Sequence, residues 1–225
     1  MKNRFMVLLV CFLLTYVSSA QDLDLSTEST SGVSSGNLLV ELSGSPFTGS
    51  SLLDFGEFRL KYVVADNIAV RLGMYMDLNN NQLRPDYVSD YTTYRVTPGV
   101  EYQISNNGGF RSYVALDAIV GQKFANVKTT TGSSVTGTTQ MPNGNSLQTF
   151  SQSNRGYFEV GAALSVGADY HFGSRFYVGM EAGFMLNMTM YDEITLDGET
   201  YQDAVTYKGG DLLIRNAVRF GFLLL

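Results

Sequence analysis

Along much of this chain every second residue is apolar. Residues 158–172 carry Phe158, Val160, Ala162, Leu164, Val166, Ala168, Tyr170 and Phe172 on one parity. The other parity carries Glu159, Gly161, Ala163, Ser165, Gly167, Asp169 and His171. A period of two is that of a β-strand. The run is longer than the ~5–6 residues typical of strands in globular proteins. One face is uncharged throughout, while the other is small, polar or charged. Such a strand fits the wall of a transmembrane β-barrel, with hydrocarbon outside and a polar interior.

The same pattern marks eight segments: 37–44, 55–64, 68–77, 94–104, 111–122, 155–172, 175–190 and 211–225. Their connections alternate in length. Short turns are expected at 65–67, at 105–109 and at Gly173-Ser174, the last as a two-residue hairpin turn that glycine permits. Longer connections are expected at 45–54, 78–93, 123–154 and 191–210. Short turns at one end and long loops at the other are the habit of outer-membrane barrels. An even strand number places both termini at the short-turn, periplasmic end and the long loops outside. The predicted fold is therefore all-β, an eight-stranded antiparallel up-and-down transmembrane barrel over residues 37–225.

Parity is fixed within a strand, so the assignment can be checked segment by segment. The outward set runs from Leu38, Val40 and Leu42 to Val218, Phe220, Phe222 and Leu224. It contains no charge, and Asn216 is its one strongly polar member. The inward set holds Glu41, Glu57, Arg59, Lys61, Arg71, Asp77, Arg95, Glu101, Asp117, Glu159, Asp169, Glu181, Arg215 and Arg219. Arg or Lys at mid-bilayer on the lipid face costs ~2–4 kcal/mol, which enforces this sorting. An eight-stranded lumen is about filled by its own side chains, so the inward charges are expected to pair across it. The inward glycines Gly73, Gly99, Gly121, Gly161, Gly167, Gly179, Gly183 and Gly221 make room for long side chains, the favoured reading, or for a narrow file of water. Tyr62, Tyr102, Tyr170, Phe172 and Phe220 fall near the turn end, and Phe58, Tyr94 and Phe158 near the loop end, where aromatic rings sit at headgroup level.

The amino terminus adds a location. Lys2 and Arg4 precede an apolar run over 5–17 that is short of the ~20 residues of a membrane-spanning helix. Ser18-Ser19-Ala20 supplies the small residues of a cleavage site. Residues 1–20 thus read as a secretory signal peptide. Residues 21–36, rich in Ser, Thr and Gly, read as a flexible periplasmic segment. The full chain has 225 residues, with 15 basic and 21 acidic side chains. Cleavage removes Lys2 and Arg4, leaving 13 bases against 21 acids, a formal net of −8. That balance argues against nucleic acid as a partner. The single cysteine, Cys11, lies in the apolar run, with Val10 where a lipidated cysteine needs a small neighbour. The mean hydropathy is neutral, as expected when only alternate residues meet lipid.

The signal peptide, the eight alternating segments and the closing strand Asn216-Ala217-Val218-Arg219-Phe220-Gly221-Phe222 resemble the small eight-stranded outer-membrane barrels of the OmpX/OmpA-transmembrane type. These are common in Gram-negative bacteria, Bacteroidota included. The resemblance implies insertion by the barrel-assembly machinery with periplasmic chaperones, with Val218, Phe220 and Phe222 as the assembly signal. That signal normally ends in an aromatic, and this chain ends Leu223-Leu224-Leu225. The resemblance also implies contact with outer-membrane lipid and lipopolysaccharide.

Catalytic chemistry finds few groups. His171 is the only histidine, and its parity and place beside the Gly173-Ser174 turn put it inside at the periplasmic end. No triad can be assembled around it. Asp77-Leu78-Asn79-Asn80-Asn81-Gln82 begins like a calcium loop but has Gln82 at the glycine position and Val88 at the closing glutamate position. Asp192, Glu193, Asp197, Glu199 and Asp203 cluster in the last long connection without ligand spacing, and Asp197-Gly198 reads as a hairpin turn there. No cofactor or metal is expected. The Thr/Ser/Gly/Asn-rich stretch 123–154 reads as a mobile surface loop. Strands longer than the ~9–11 residues of a crossing are expected to project and offer edges to a partner. The favoured function is a non-enzymatic surface barrel serving envelope integrity, adhesion or assembly with a partner. A narrow passive channel for small or apolar solutes comes second, and an outer-membrane enzyme third.

Overall fold

The structure is a computed structural model that describes residues 33–44, 55–84, 87–107, 109–129, 132–142, 150–213 and 218–224. Its strands are β1 (Leu38–Gly44), β2 (Phe55–Ala65), β3 (Ile68–Arg84), β4 (Tyr87–Asn107), β5 (Phe110–Thr129), β6 (Ser134–Thr136), β7 (Tyr157–Phe172), β8 (Phe176–Tyr191), β9 (Ile194–Leu196), β10 (Glu199–Gln202), β11 (Val205–Leu213) and β12 (Val218–Leu223). The predicted signal peptide, Ile214, Arg215, Asn216 and Leu225 lie outside the described residues, as does the connection between β1 and β2.

Antiparallel pairing runs β1-β2-β3-β4-β5-β7-β8, then through β11 and β12, which both pair with β8. β12 closes the ring on β1, with Leu39 opposite Leu223 and Gly44 opposite Val218. β11 and β12 together occupy the eighth position of the wall. The chain is an eight-stranded up-and-down barrel, the architecture its sequence predicts. A sheet that closes on itself leaves no edge in hydrocarbon, so every wall N–H and C=O can be satisfied.

The wall is inside-out relative to a water-soluble protein. Leu164 is 61% exposed, Ile104 63% and Met76 62%, while Glu41 and Arg219 have no exposed surface. Outward apolar residues are continuous from Ile68 to Leu78 on β3, from Tyr94 to Ile104 on β4 and, Ser112 apart, from Phe110 to Val120 on β5. Each run matches the ~9–11 residues of a tilted crossing. Water would penalise that belt heavily, and hydrocarbon does not. Among the described residues no helix is long and apolar enough to cross a membrane; the strands do so. Within the belt, the β4–β5 register lapses at Thr97 and Pro98, between Val96↔Val120 and Gly99↔Asp117. Proline has no N–H to give to a ladder.

Beyond the belt the structure departs from the expected loops. β3 and β4 keep pairing from Asp77↔Thr93 to Arg84↔Tyr87, across most of the stretch read as a long connection. The stretch from Leu78 to Gln82, read as a solvated loop, is therefore paired strand. The stretch read as a mobile loop, 123–154, is largely ordered where described: β5 continues to Thr129, and β6 pairs with β5 and with β9. Val127, Val135, Phe150 and Ile194 form a small core there, packed by Met141, Leu196 and Tyr201. β9 and β10 form the hairpin expected at Asp197-Gly198, whose φ values of 51° and 90° are those a type I′ turn requires. The Gly173-Ser174 turn spans three residues, because Phe172 pairs with Phe176. Part of the segment assigned as flexible is tied to the barrel: Gly36 N–H donates to the Val63 carbonyl (2.8 Å) and Val33 is buried, while Ser34, Ser35 and Gly36 stay exposed.

Candidate functional site

The lumen is filled in layers. At the short-turn end Val33, Leu39, Val63, Ala69 and Tyr177 make an apolar floor. Above it lies the ionic layer. Arg219 Nη2 is 2.5 Å from Asp169 Oδ1, and its Nη1 is 3.2 Å from Glu41 Oε2. Lys61 Nζ is 2.7 Å from Glu41 and 2.9 Å from Glu101. Arg71 donates to Asp117 through Nε (2.7 Å) and Nη2, and its Nη1 is 2.8 Å from Glu181. Arg59 reaches Glu57 (3.0 Å), Glu41 and Glu181 (3.4 Å each).

These ten side chains come from all eight positions of the wall and form one connected cluster. An isolated charge in so dry a place would cost several kcal/mol, so only mutual pairing makes the layer tolerable. Its six acids exceed its four cations, and two phenols relieve the excess: Tyr113 Oη donates to Glu181 (2.8 Å) and Tyr177 Oη to Glu41. The Tyr113 ring also lies 5.0 Å from the Arg219 guanidinium and 5.3 Å from Lys61 Nζ, within cation–π range. Sequence reasoning missed both tyrosines. Parity was the available signal: each is inward and stands opposite a glycine, Gly167 for Tyr113 and Gly221 for Tyr177. A Cβ at Gly167 would lie 2.1 Å from the Tyr113 hydroxyl, and one at Gly221 2.0 Å from the Tyr177 ring. These two glycines make room for aromatic rings rather than for water.

Arg95 and Glu159 pair at 3.2 Å nearer the loop end, apart from the main cluster. Asp77 sits higher still and accepts the Tyr91 hydroxyl at 2.9 Å. Arg215 lies outside the described residues. Val218, Phe220 and Phe222 occupy the outward parity of β12, with Phe220 exposed and the other two partly so. Above the ions, Ile119, Ala163 and Met185 add an apolar patch inside the lumen. A cavity of about 60 Å³ lies between this patch and the ionic layer, lined in part by Arg59, Arg95, Thr97 and Glu181. It has room for a few water molecules and no more.

The layer offers little for catalysis. His171 is buried, stacks on Tyr177 (centroids 4.8 Å apart, planes at 30°), and its Nε2 has no hydrogen-bond partner. Among the described residues no three His, Cys, Asp or Glu side chains gather as a metal site.

The other constructed feature is the cap at the loop end. Arg155 is buried beneath it and donates from Nη2 to the carbonyls of Asp203 (2.9 Å) and Asp192. Burial pushes the Asp192 carboxyl above its ordinary range, opposed by Arg155, and lowers Arg155. Gly137 lies where the two loops cross: its φ is +81°, and a Cβ there would stand 2.0 Å from the Glu193 carbonyl oxygen. Only glycine fits such a crossing. The cap also touches the mouth of the barrel, through Lys123 Nζ on the Ser153 carbonyl (2.5 Å) and Ser89 Oγ on the Thr139 carbonyl (3.0 Å).

No family model and no curated protein sequence matches the chain. Among solved structures it is similar to the N-terminal β-barrel domain of Pseudomonas aeruginosa OprF, with 11% identity, a TM-score of 0.39, and coverage of 85% of this chain and 100% of that one. It is also similar to Ail, the attachment invasion locus protein of Yersinia pestis, with 14% identity, a TM-score of 0.38, and coverage of 84% and 99%. The architecture stands on the strand pairing of this chain itself.

Proposed function

We propose that this chain is a non-enzymatic outer-membrane barrel whose ordered cap is an interaction module, used for adhesion or for holding a partner at the cell surface. One observation carries the reading. The lumen is blocked at successive levels, while the strands continue past the lipid belt and build a cap with its own core. A channel needs the reverse, an open bore and loops that leave it clear. The belt supplies the affinity for lipid, and the acidic periphery of the cap faces lipopolysaccharide and the medium. The termini then lie in the periplasm, where chaperones and the assembly machinery receive the chain and its closing strand.

The test compares intact cells displaying the wild-type chain with cells displaying Val135→Asp, which places a charge in the cap core. Barrel assembly is followed by heat-modifiable migration on gels. Cell-to-surface adhesion that disappears in the variant, with assembly unchanged, supports the reading. Equal adhesion by both, or adhesion by neither, overturns it.

A further inference from the structure

The inward faces of the strands above the ionic layer carry an unusual concentration of one residue. Tyr75 on β3, Tyr91 on β4, Tyr157 on β7, Tyr191 on β8 and Tyr207 on β11 all have the inward parity at the loop end. They form one arc. Tyr157 is register partner to Tyr191, with ring centroids 6.1 Å apart and planes at 74°. Tyr207 pairs with Thr189, two residues along β8 from Tyr191, and Tyr91 donates to Asp77, two residues along β3 from Tyr75. None of the five is buried, and Tyr207 is 51% exposed. The outer face carries Tyr94 near the same level, so it is the number of tyrosines on the inner face that stands out.

We propose that this tyrosine-lined mouth is a glycan site that takes a neutral oligosaccharide. The chemistry of the lining selects that class. A pyranose presents an apolar C–H face and a rim of hydroxyls. A tyrosine presents a flat apolar face and a polar tip, so rings stack while hydroxyls find donors and acceptors. The polar groups between the tyrosines are of that mixed kind. Asp77 accepts from Tyr91, and Asn187 Nδ2 donates to Glu159 at 3.0 Å. Asn187 Oδ1, buried, has no hydrogen-bond partner. Such an acceptor is costly to leave unpaired, and a sugar hydroxyl donating to it would satisfy it.

Other ligands fit the same surface less well. Its cations are already engaged: Arg95 holds Glu159 at 3.2 Å, and Lys123 donates to Ser153 O while lying 4.7 Å from the Tyr91 ring centroid. That leaves little for a phosphate or sulfate. Asp77 and Glu159 make the mouth too polar for an acyl chain. The cap roofs one side, with the Tyr191 hydroxyl donating to Gln152 Oε1 at 3.4 Å. β11, which carries Tyr207, pairs among the described residues with β8 alone.

This inference rests on the surface reading above and names the chemistry of its ligand; the source is either the cell's own lipopolysaccharide or a foreign surface. The test uses the full mature chain folded in a non-glycosidic detergent. It is titrated with maltohexaose, mannohexaose and cellohexaose, and separately with delipidated oligosaccharide from its own host's lipopolysaccharide. The chain has no tryptophan, so tyrosine emission reports directly, alongside calorimetry. Saturable binding of at least one probe is expected. Tyr75→Ala and Tyr207→Ala should each weaken it at least tenfold, and Tyr102→Ala on the lipid face should leave it unchanged. Binding in the lipopolysaccharide arm alone assigns the source to the cell itself. A folded barrel that binds none of the probes, or binds them equally in all three variants, overturns the glycan site. Binding in detergent is independent of adhesion by cells, so failure here and failure of the surface reading are separable.

Discussion

Arg219 and Glu41 join the last strand of the barrel to the first, 3.2 Å apart with neither side chain exposed. The pair lies across the β1–β12 seam, where the ring closes. Arg219 also holds Asp169 on β7, and Glu41 also holds Lys61 and Arg59 on β2. The seam is thus fastened by ions as well as by backbone pairing.

Removing one partner leaves the other charged, buried and short of a counter-ion. Arg219→Ala and Glu41→Ala should each destabilise the folded barrel by about 3–5 kcal/mol, because breaking a buried pair costs that much. The double variant should lose less than the two single losses together, with a coupling of about 0.5–3 kcal/mol. Urea titration of the refolded barrel in micelles checks both. Strict additivity would mean that the two side chains act independently.

The face assignment makes a second prediction at adjacent positions. Leu164 is exposed to lipid, whereas Ala163 lies inside with Ile119 and Met185. Leu164→Arg should cost ~2–4 kcal/mol and impair insertion. Ala163→Ser adds a single oxygen to a lumen that already holds polar groups, and insertion should proceed. Folding yield into lipid vesicles separates the two.

The filled lumen predicts silence in planar bilayers. Wild-type protein should give no reproducible openings. Tyr113→Ala removes the ring that fills the space over Gly167 and stacks on Arg219, and should admit small, unstable conductances. Steady wild-type openings would contradict the layered plug.

The cap depends on one backbone crossing. Gly137→Ala combines a strained φ of +81° with a Cβ 2.0 Å from the Glu193 carbonyl. Limited proteolysis should then cut the cap faster, while the barrel keeps its heat-modifiable migration. Unchanged cleavage would mean that the crossing contributes nothing to cap order.

The wall was legible in the sequence because lipid imposes a strict rule. From Phe158 to Phe172 every outward residue must be apolar, so parity alone sorts the chain. Outside the belt that rule lapses. Asn79, Asn80 and Asn81 carry no alternation, since water accepts polar groups on both faces, yet their backbones pair with Tyr91, Asp90 and Ser89. The cap core was hidden for a different reason. Val127, Val135, Phe150 and Ile194 are scattered through polar stretches, and no local window contains the contact that unites them. The ionic layer falls between these cases. Parity told that Arg71 and Asp117 share an interior, but only the three-dimensional register shows which acid meets which base.

The central claim is that hydrocarbon surrounds this barrel. The most direct measurement attaches a nitroxide in turn to residues 160, 162, 164, 166 and 168 of β7 in lipid bilayers, and compares accessibility to oxygen with accessibility to a water-soluble nickel chelate. The account predicts that oxygen dominates at every site, most strongly near Leu164, with the nickel signal rising toward both ends. A folded, detergent-free monomer in which the same labels are shielded from both reagents would contradict it.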